Sequence, residues 1–492
     1  MPDTVPAMSV PGRGEMVTAD VAVVGAGAAG LYAALTAAAA GARVAVISAT
    51  PLAQTASYWA QGGLAAALAM DDSPQLHLAD TERAGRGLMR ASAGEVLVRE
   101  APRLIAELRR LRVRFDADRN GNLALGLEGG HSRRRIVHAG GSATGRRLVR
   151  QLSADVVRHE TIEVLEDTRV ASLWLDEGRV AGVVCENGTA VRARATILAT
   201  GGAAALWSRT TNPPGSLGFG MQLALHAGAQ LADMEFVQFH PTAVTGIKGR
   251  EGFLVTEAIR GEGATLHGPG GERFVEELAP RDEVARAIWN LMQSERIPSV
   301  SLDMRGVDPA RFPNVVEALR ASGLDPAQEL VPVAPAAHYM MGGVVCDLQG
   351  ATAVPGLYVV GETACTGLHG ANRLASNSLS ECVVFGERAA LAALDEPDAQ
   401  ATDPPLPTPI AIPSRATREA LWLNAGIVRD RDGLERLASD EHPLVRAIAA
   451  CALLREETRG AHVRADFAQT DAGLDQMHAV VSDGRPVFER WL

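Results

Sequence analysis

Cysteine is scarce in this chain of 492 residues, and the five present (Cys185, Cys346, Cys365, Cys382 and Cys451) stand far apart with no Cys-x-x-Cys pair. An odd count without disulfide or zinc spacing argues against a disulfide framework and against a metal site, and it fits a reducing compartment such as the cytoplasm. Aromatic residues make up 4% of the chain, too few for the stacking platforms on which nucleic-acid bases lie. Positive charge is also in deficit. The 47 Lys and Arg against 58 Asp and Glu leave a net charge of −11, which favours solubility and argues against a nucleic-acid partner. Apolar runs are interrupted by Gly, Arg or Gln well short of a membrane span, so no membrane partner is expected. The first sixteen residues hold Asp3 and Glu15 and no long apolar run, so no signal peptide is expected.

What the chain does have begins at Val21. Val21 to Val24 is an apolar run that reads as a buried strand. Gly25-Ala26-Gly27-Ala28-Ala29-Gly30 follows as Gly-x-Gly-x-x-Gly, and the alanine-rich run Leu31 to Ala40 reads as a helix. Strand, glycine turn and helix in that order are the setting a dinucleotide fingerprint requires. Gly25 permits the tight turn, Gly27 lets backbone N–H groups approach a pyrophosphate, and Gly30 lets helix and strand pack closely. The helix N-terminus attracts the phosphate charge. Gly41 ends the helix, and Arg43 to Ile47 reads as a second parallel strand.

The fingerprint does not name its nucleotide. An acidic residue at the end of the second strand usually binds the ribose. Here the strand ends at Ser48-Ala49-Thr50, and a serine offers one hydrogen bond. Other segments favour FAD over NAD. Ala56-Ser57-Tyr58-Trp59-Ala60-Gln61-Gly62-Gly63 is expected beside a flavin ring. Glu362, just after a strand ending at Gly361, stands where a carboxylate receives a ribose hydroxyl. Asn377-Ser378-Leu379 precedes a helix whose backbone N–H groups can face a flavin carbonyl. Val170, at the head of a hairpin read over Val170 to Val184, completes the expected cofactor residues.

These signals give an α/β organisation. The expectation is a Rossmann-like FAD-binding domain over 19–230 and 341–400, with an inserted α+β capping domain over 231–340. A Pro-rich linker over 401–414 leads to a C-terminal helical domain over 415–492. Residues 1–18, rich in Pro and Gly, read as a disordered tail. The length fits about three domains. Residues 94–115 read as an amphipathic helix, and Ala193 to Gly202 as a buried strand that returns to the nucleotide sheet.

The inserted region and its return supply hydrogen-bonding and cationic side chains in short motifs. They are Gln238-Phe239-His240-Pro241-Thr242, Thr256-Glu257-Ala258-Ile259-Arg260-Gly261-Glu262, Arg281-Asp282, His338-Tyr339-Met340-Met341-Gly342-Gly343, and His369-Gly370-Ala371-Asn372-Arg373. Arginine is the natural clamp for a carboxylate because its planar fork donates two parallel hydrogen bonds. Two Arg and two His around a flavin therefore point to a small dicarboxylate.

With these motifs the chain resembles the L-aspartate oxidases, a branch of the succinate dehydrogenase/fumarate reductase flavoprotein superfamily, over about residues 19–400. Two features point to the oxidase branch. Leu127-Glu128-Gly129-Gly130-His131-Ser132, running on to His138, is similar to the oxidase segment in which a glutamate faces the substrate amino group. In addition, relatives that hold FAD covalently carry a histidine five residues before the Gln of Ala-Gln-Gly-Gly, and Ala56 stands there, so non-covalent FAD is implied. The resemblance implies that His240, Thr256, His338 and Arg373 bind the two carboxylates, that Glu128 meets the ammonium, and that Arg281 exchanges a proton with substrate. Arginine holds its proton up to a pKa of about 12 or more, so neighbours such as Glu257, Arg260 and Asp282 are expected to relay it. The implied reaction is oxidation of L-aspartate to iminoaspartate, with O2 reduced to H2O2 or fumarate to succinate. This would be the first step of de novo NAD biosynthesis, and quinolinate synthase is the implied recipient of the product.

The chain departs from that family at Phe219, where relatives carry an acid expected to contact FAD. Together with Ser48-Ala49-Thr50, this predicts weaker FAD binding. A soluble fumarate reductase or succinate-oxidising flavoprotein is the alternative, using the same clamp without an amino group. A catalytically silent FAD-binding protein would have no need of His240, Arg281, His338 and Arg373 together, and a monocarboxylate oxidase would need a single clamp.

Overall fold

The computed structural model describes residues 14–399, 403–408, 410–482 and 484–492. Val21–Val24 lies at the centre of a five-stranded sheet with the spatial order Leu357–Val359, Ala195–Leu198, Val21–Val24, Val44–Ile47, Ile162–Leu165. All four pairings are parallel. Parallel strands are covered on both faces and therefore read as unbroken apolar runs. Alternate residues of the central strand go to opposite sides. Val21 and Val23 pack with helices Ala28–Ala39, Ala91–Arg110, Thr144–Arg158 and Asn377–Ala393. Ala22 and Val24 pack toward the hairpin Val170–Asp176 and Arg179–Cys185. The expected first β-α-β unit, the hairpin, the returning strand and the amphipathic helix are all present. That helix buries Leu97, Leu104, Ile105 and Leu108.

The inserted unit is a four-stranded antiparallel sheet in the order Val237–Val244, Val331–Met340, Val300–Asp303, Thr265–His267. Helices Arg281–Glu295 and Pro313–Arg320 share its core through Val284, Ile288, Val315 and Leu319. Its strand Val331–Met340 ends at Met340, whose N–H donates to Glu362 just past the C-terminal end of strand Leu357–Val359, so the two sheets meet at the edge where open α/β sheets bind ligands.

The structure moves three boundaries. Of the tail read over 1–18, residues 1–13 lie outside the described residues, and Met16–Thr18 is instead a strand paired with Ala190–Arg192. Val17 is buried there, and the edge of the hairpin sheet supplies backbone partners. Leu231–Ala232, taken as the start of the inserted domain, instead pairs with Gly343–Val345 and Met477–Ser482. The C-terminal region has the expected helices Arg415–Asn424, Arg431–Leu437 and Pro443–Leu454. It then ends in a hairpin, Met477–Ser482 with Arg485–Arg490, that extends the Leu231–Ala232 sheet. Within the linker read over 401–414, residues 401, 402 and 409 lie outside the described residues.

Candidate active site

The glycine turn is shaped by contacts that exclude side chains. Gly25 has φ 110°, and a Cβ on it would come within 2.3 Å of the Ala199 carbonyl oxygen. A Cβ on Gly30 would come within 1.9 Å of the Gly25 carbonyl oxygen, so strand and helix pack backbone to backbone. Ala26, Ala28 and Ala29 are buried behind the turn. At Gly27 a Cβ would meet only Ser57 Oγ, at 3.2 Å. That hydroxyl accepts from the Ala28 N–H at 3.1 Å, so Ser57 lies at the helix N-terminus, where an anion is favoured. Nearby, Thr55 Oγ1 and Gln61 Oε1 are buried with no hydrogen-bond partner. An open glycine turn at a helix N-terminus and orphaned polar atoms beside it fit a dinucleotide with a polar ring system.

Other expected cofactor residues take varied positions. Glu362 accepts the Met340 N–H at 2.9 Å, and burial pushes its carboxyl up to about 8. Ser48 is buried and donates to the Thr50 carbonyl at 2.6 Å. Val170 is buried with Ile47 and Leu165. Next to it the Arg169 guanidinium lies 4.9 Å from the centre of the Phe219 ring. The Tyr58 ring faces Arg146 and Arg150, and Trp59 is 58% exposed; the structure does not bring these two rings into the clamp. The Ala60 carbonyl accepts from the Gly145 N–H. Ala56 offers no nucleophile for a covalent link to the cofactor.

Gln61-Gly62-Gly63 does join the reacting side chains. The Gly63 N–H donates to Ser376 Oγ at 3.0 Å, and that hydroxyl donates to Glu128 Oε2 at 2.7 Å. A Cβ on Gly62 would stand 3.1 Å from Ser376 Oγ and 3.8 Å from Glu128 Oε1. Ser376 adopts φ 60°, a backbone conformation unfavourable for a residue with a Cβ, and it places one hydroxyl against both partners. It precedes the helix Asn377–Ala393, where Ser378 Oγ accepts from Arg373 NH1 at 3.0 Å and Leu379 is buried.

The cationic cluster is organised by one uncharged residue. Gln238 Oε1 accepts from Arg281 NH1 at 3.0 Å and from Arg373 NH2 at 3.1 Å. Gln238 Nε2 in turn donates to Asn372 Oδ1 and to the Arg373 carbonyl, both at 2.8 Å. His240 is two residues on along the same strand, so both side chains share one face. The neighbouring strand brings His338, with the two imidazoles 5.1 Å apart. Thr242 N–H approaches His240 Nδ1 at 3.3 Å, and Thr211 Oγ1 lies 2.7 Å from His338 Nδ1. Thr256, buried, precedes the short helix Glu257–Gly261. Arg281 opens the helix Arg281–Glu295, and its Nε donates to Glu257 Oε2 at 2.6 Å. Glu257 also accepts from the Gly129 N–H at 2.8 Å and lies 3.7 Å from Arg260 NH2. Arg260 NH1 donates to the Glu277 carbonyl. Of the three expected relay neighbours, Glu257 and Arg260 therefore line up with Arg281. Asp282 instead faces Arg86 and Asn372, because successive helical residues point in different directions.

Charge follows from this enclosure. Burial and the nearby Arg281 lower His240 and His338 well below the ordinary histidine value, so both are neutral donors or acceptors. Burial and Arg281 bring Arg373 down to about 10, which leaves it charged. Burial alone would raise Glu128, but the attraction of His138, the Ser376 hydroxyl and Arg281 outweigh it and hold the carboxyl at about 2. Glu257 is likewise lowered, against the effect of burial, by Arg281 and Arg260. The site therefore holds two ionised carboxylates among three guanidiniums. Only Glu128 lacks a guanidinium hydrogen-bonded to it.

Gln238, Tyr339 and His138 lie inside the quoted motifs, and Ser376 just before Asn377-Ser378-Leu379, yet none of the four stands out in the sequence as a site residue. Tyr339 supports Arg373, whose guanidinium carbon is 4.5 Å from the ring centre. Only the i, i+2 spacing of Gln238 and His240 on a strand could have found one of them.

Among the described residues no helix is long and apolar enough to cross a membrane. A family model described as FAD binding domain matches residues 20–379, and one described as fumarate reductase flavoprotein C-term matches residues 442–487. The L-aspartate oxidase of Streptomyces coelicolor is 42% identical, covering 96% of this chain and 93% of that protein. That of Agrobacterium fabrum is 46% identical, covering 92% and 91%. Among solved structures, an E. coli quinol fumarate reductase chain superposes with a TM-score of 0.87 at 29% identity, covering 96% of both chains. Mycobacterium smegmatis Sdh1 superposes with a TM-score of 0.82 at 30% identity, covering 96% and 94%.

Proposed function

The chain belongs to the L-aspartate oxidase family of FAD-dependent oxidoreductases, and from that premise we propose that it oxidises L-aspartate to iminoaspartate at the Glu128–Arg281–Arg373 site. FAD supplies the hydride acceptor when bound along the glycine turn. His240, Thr256, His338 and Arg373 hold the two carboxylates, with the neutral imidazoles donating hydrogen bonds and Arg373 supplying the charge. Gln238 fixes the Arg373 and Arg281 forks side by side, so the dicarboxylate is met by donors already in place. Arg281 exchanges a proton with the substrate, and Glu257, on its Nε, and Arg260 behind it are the neighbours that relay the proton.

Glu128 carries this reading. In a site for a plain dicarboxylate, a buried ionised carboxylate repels the ligand. In a site for an amino dicarboxylate, it pairs with the ammonium. The alternative, a soluble fumarate reductase, is favoured by the likeness to the E. coli quinol fumarate reductase chain. We place the reaction in the cytoplasm as the first step of de novo NAD biosynthesis, with O2 or fumarate as acceptor and quinolinate synthase taking the product.

The test is anaerobic. Protein reconstituted with FAD is mixed with L-aspartate or succinate while the long-wavelength flavin band is followed. Bleaching by L-aspartate but not by succinate, with recovery and H2O2 on admitting air, is expected. No bleaching by L-aspartate, with chemically reduced enzyme reoxidised only by fumarate, would move the assignment to the reductase.

A further inference from the structure

One titratable side chain at this site has no part in the reaction so far: His138. Its role rests on the reading that the substrate carries an ammonium against Glu128. An amine gives up a hydride only as the free base, because the nitrogen lone pair must flow into the forming C=N bond. The ammonium therefore loses a proton before its carbon is oxidised.

Glu128 faces that proton but is too acidic to keep it. Its Oε2 already accepts from Ser376. Its Oε1 lies 3.4 Å from His138 Nε2, and both atoms are buried with no hydrogen-bond partner of their own. The Glu128 side chain is 1% exposed and the His138 side chain 16%, so the line from Glu128 to His138 runs from a sealed site toward water. The room for the ring is made by Gly126, where a Cβ would come within 2.6 Å of His138 Cε1. Besides Glu128, Asp116 lies next to His138, and Arg147 is paired with Asp116. The Asp116 N–H donates to the His138 carbonyl. The Asp116 carboxylate is engaged by the Gly140 and Gly141 N–H groups and by Arg147 at 3.6 Å.

We propose that His138 is the relay by which the ammonium proton leaves the site. An N–H bond of the ammonium breaks, Glu128 passes the proton on, and an N–H bond forms on the imidazole. With FAD bound as the hydride acceptor, the freed lone pair would let the Cα hydrogen leave as hydride; the resulting iminium gives iminoaspartate by loss of a second N–H proton, and the imidazolium returns its own proton to water. This route is separate from that of Arg281, whose Nε and NH1 face Glu257 and Gln238. His138 acts through Glu128 and touches no substrate atom, so it is a positioning and relay residue.

The experiment is anaerobic stopped-flow reduction of the FAD-reconstituted enzyme by L-aspartate across pH, for the wild type, His138→Gln and His138→Ala. In the wild type the rate is expected to fall on the acid side, where an imidazolium cannot accept. Both variants are expected to reduce about 100-fold more slowly, the scale of a lost general base, and to lose that acid limb. Added imidazole is expected to restore His138→Ala in proportion to its free base. A retained rate and acid limb in the variants overturns the proposal. So does a slowed His138→Ala that imidazole does not restore and whose only other change is weaker aspartate binding. If His138→Ala fails to fold, His138→Gln, which keeps the side chain polar but cannot take up the proton, decides by its pH profile. A wild type that L-aspartate does not reduce at all sinks the aspartate reading itself, an outcome distinct from these.

Discussion

Replacing Glu128 by Gln removes one charge while keeping the shape of the side chain and an acceptor for Ser376. The surroundings lower this carboxyl from an ordinary 4.5 to about 2, a preference for the ionised form of about 3 kcal/mol. If a substrate ammonium is stabilised by the same charge to a similar extent, its loss reduces kcat/KM for L-aspartate by a factor of about 150. Fumarate has no ammonium and is repelled by the same charge, so its reduction is expected to be retained or improved. The assay compares anaerobic flavin reduction by L-aspartate with reoxidation of the chemically reduced enzyme by fumarate, in the same preparation. An equal fall in both rates would make Glu128 a structural residue, and no fall in either would remove it from the site. The linkage has a definite sign. The folded pKa lies below the unfolded one, so the stabilisation is present above about 4.5 and is lost as pH falls toward 2. Glu128→Gln is therefore expected to flatten the fall in Tm over that window.

Gln238→Glu sets a carboxylate between Arg281 and Arg373 and neutralises the clamp. KM for both L-aspartate and fumarate is expected to rise at least about tenfold with Tm maintained, and unchanged KM values would refute the role given to Gln238. FAD affinity measured by flavin fluorescence is expected to rise about tenfold in Phe219→Asp, the gain of roughly one hydrogen bond; weaker binding would show that the Arg169–Phe219 pair itself supports the cofactor. His77, paired with Asn377 at 2.8 Å, is held down at about 3 by burial and by His131. Its folded pKa is below the unfolded one, so up to ~5 kcal/mol of stability is lost as pH falls from about 6.5 toward 3. Denaturant midpoints measured over that range should fall less steeply in His77→Gln.

The residues proposed to carry the chemistry were legible as candidates because they lie in short motifs. Val21 to Gly30 reads as strand, turn and helix from apolar run, glycines and alanines alone, and the structure adds only that Ser57 supplies the cap Gly27 cannot. Glu128, His338 and Arg373 stood out as charged or ring-bearing residues near glycines, and His240 and Arg281 as such residues beside prolines. Gln238 and Ser376 did not. Each is a neutral side chain whose partners lie elsewhere in the sequence: Ser376 joins Gly63 and Glu128, and Gln238 joins Arg281 and Arg373. Such a role follows from tertiary approach rather than from any local pattern. The Met477–Arg490 hairpin was missed for a similar reason. The helical signal of residues 415–470 was carried on to the end, whereas the partner that stabilises Met477–Ser482 is Leu231–Ala232.

That last pairing bears on how the molecule comes into being. Leu231–Ala232 leads directly into the strand that carries Gln238 and His240, and its neighbour on one side is Met477–Ser482. The buried pair Asp233 and His478, 2.5 Å apart in space, is separated by 245 positions in the chain. During synthesis the first parallel strands and their helices can assemble while the rest is still being made, but the sheet behind the clamp has to wait for Met477–Ser482. A chain cut before Met477 would still carry every charged group of the site and yet lack the strand that braces their support. That strand, remote from the chemistry in sequence, thus acts as a late checkpoint on assembly.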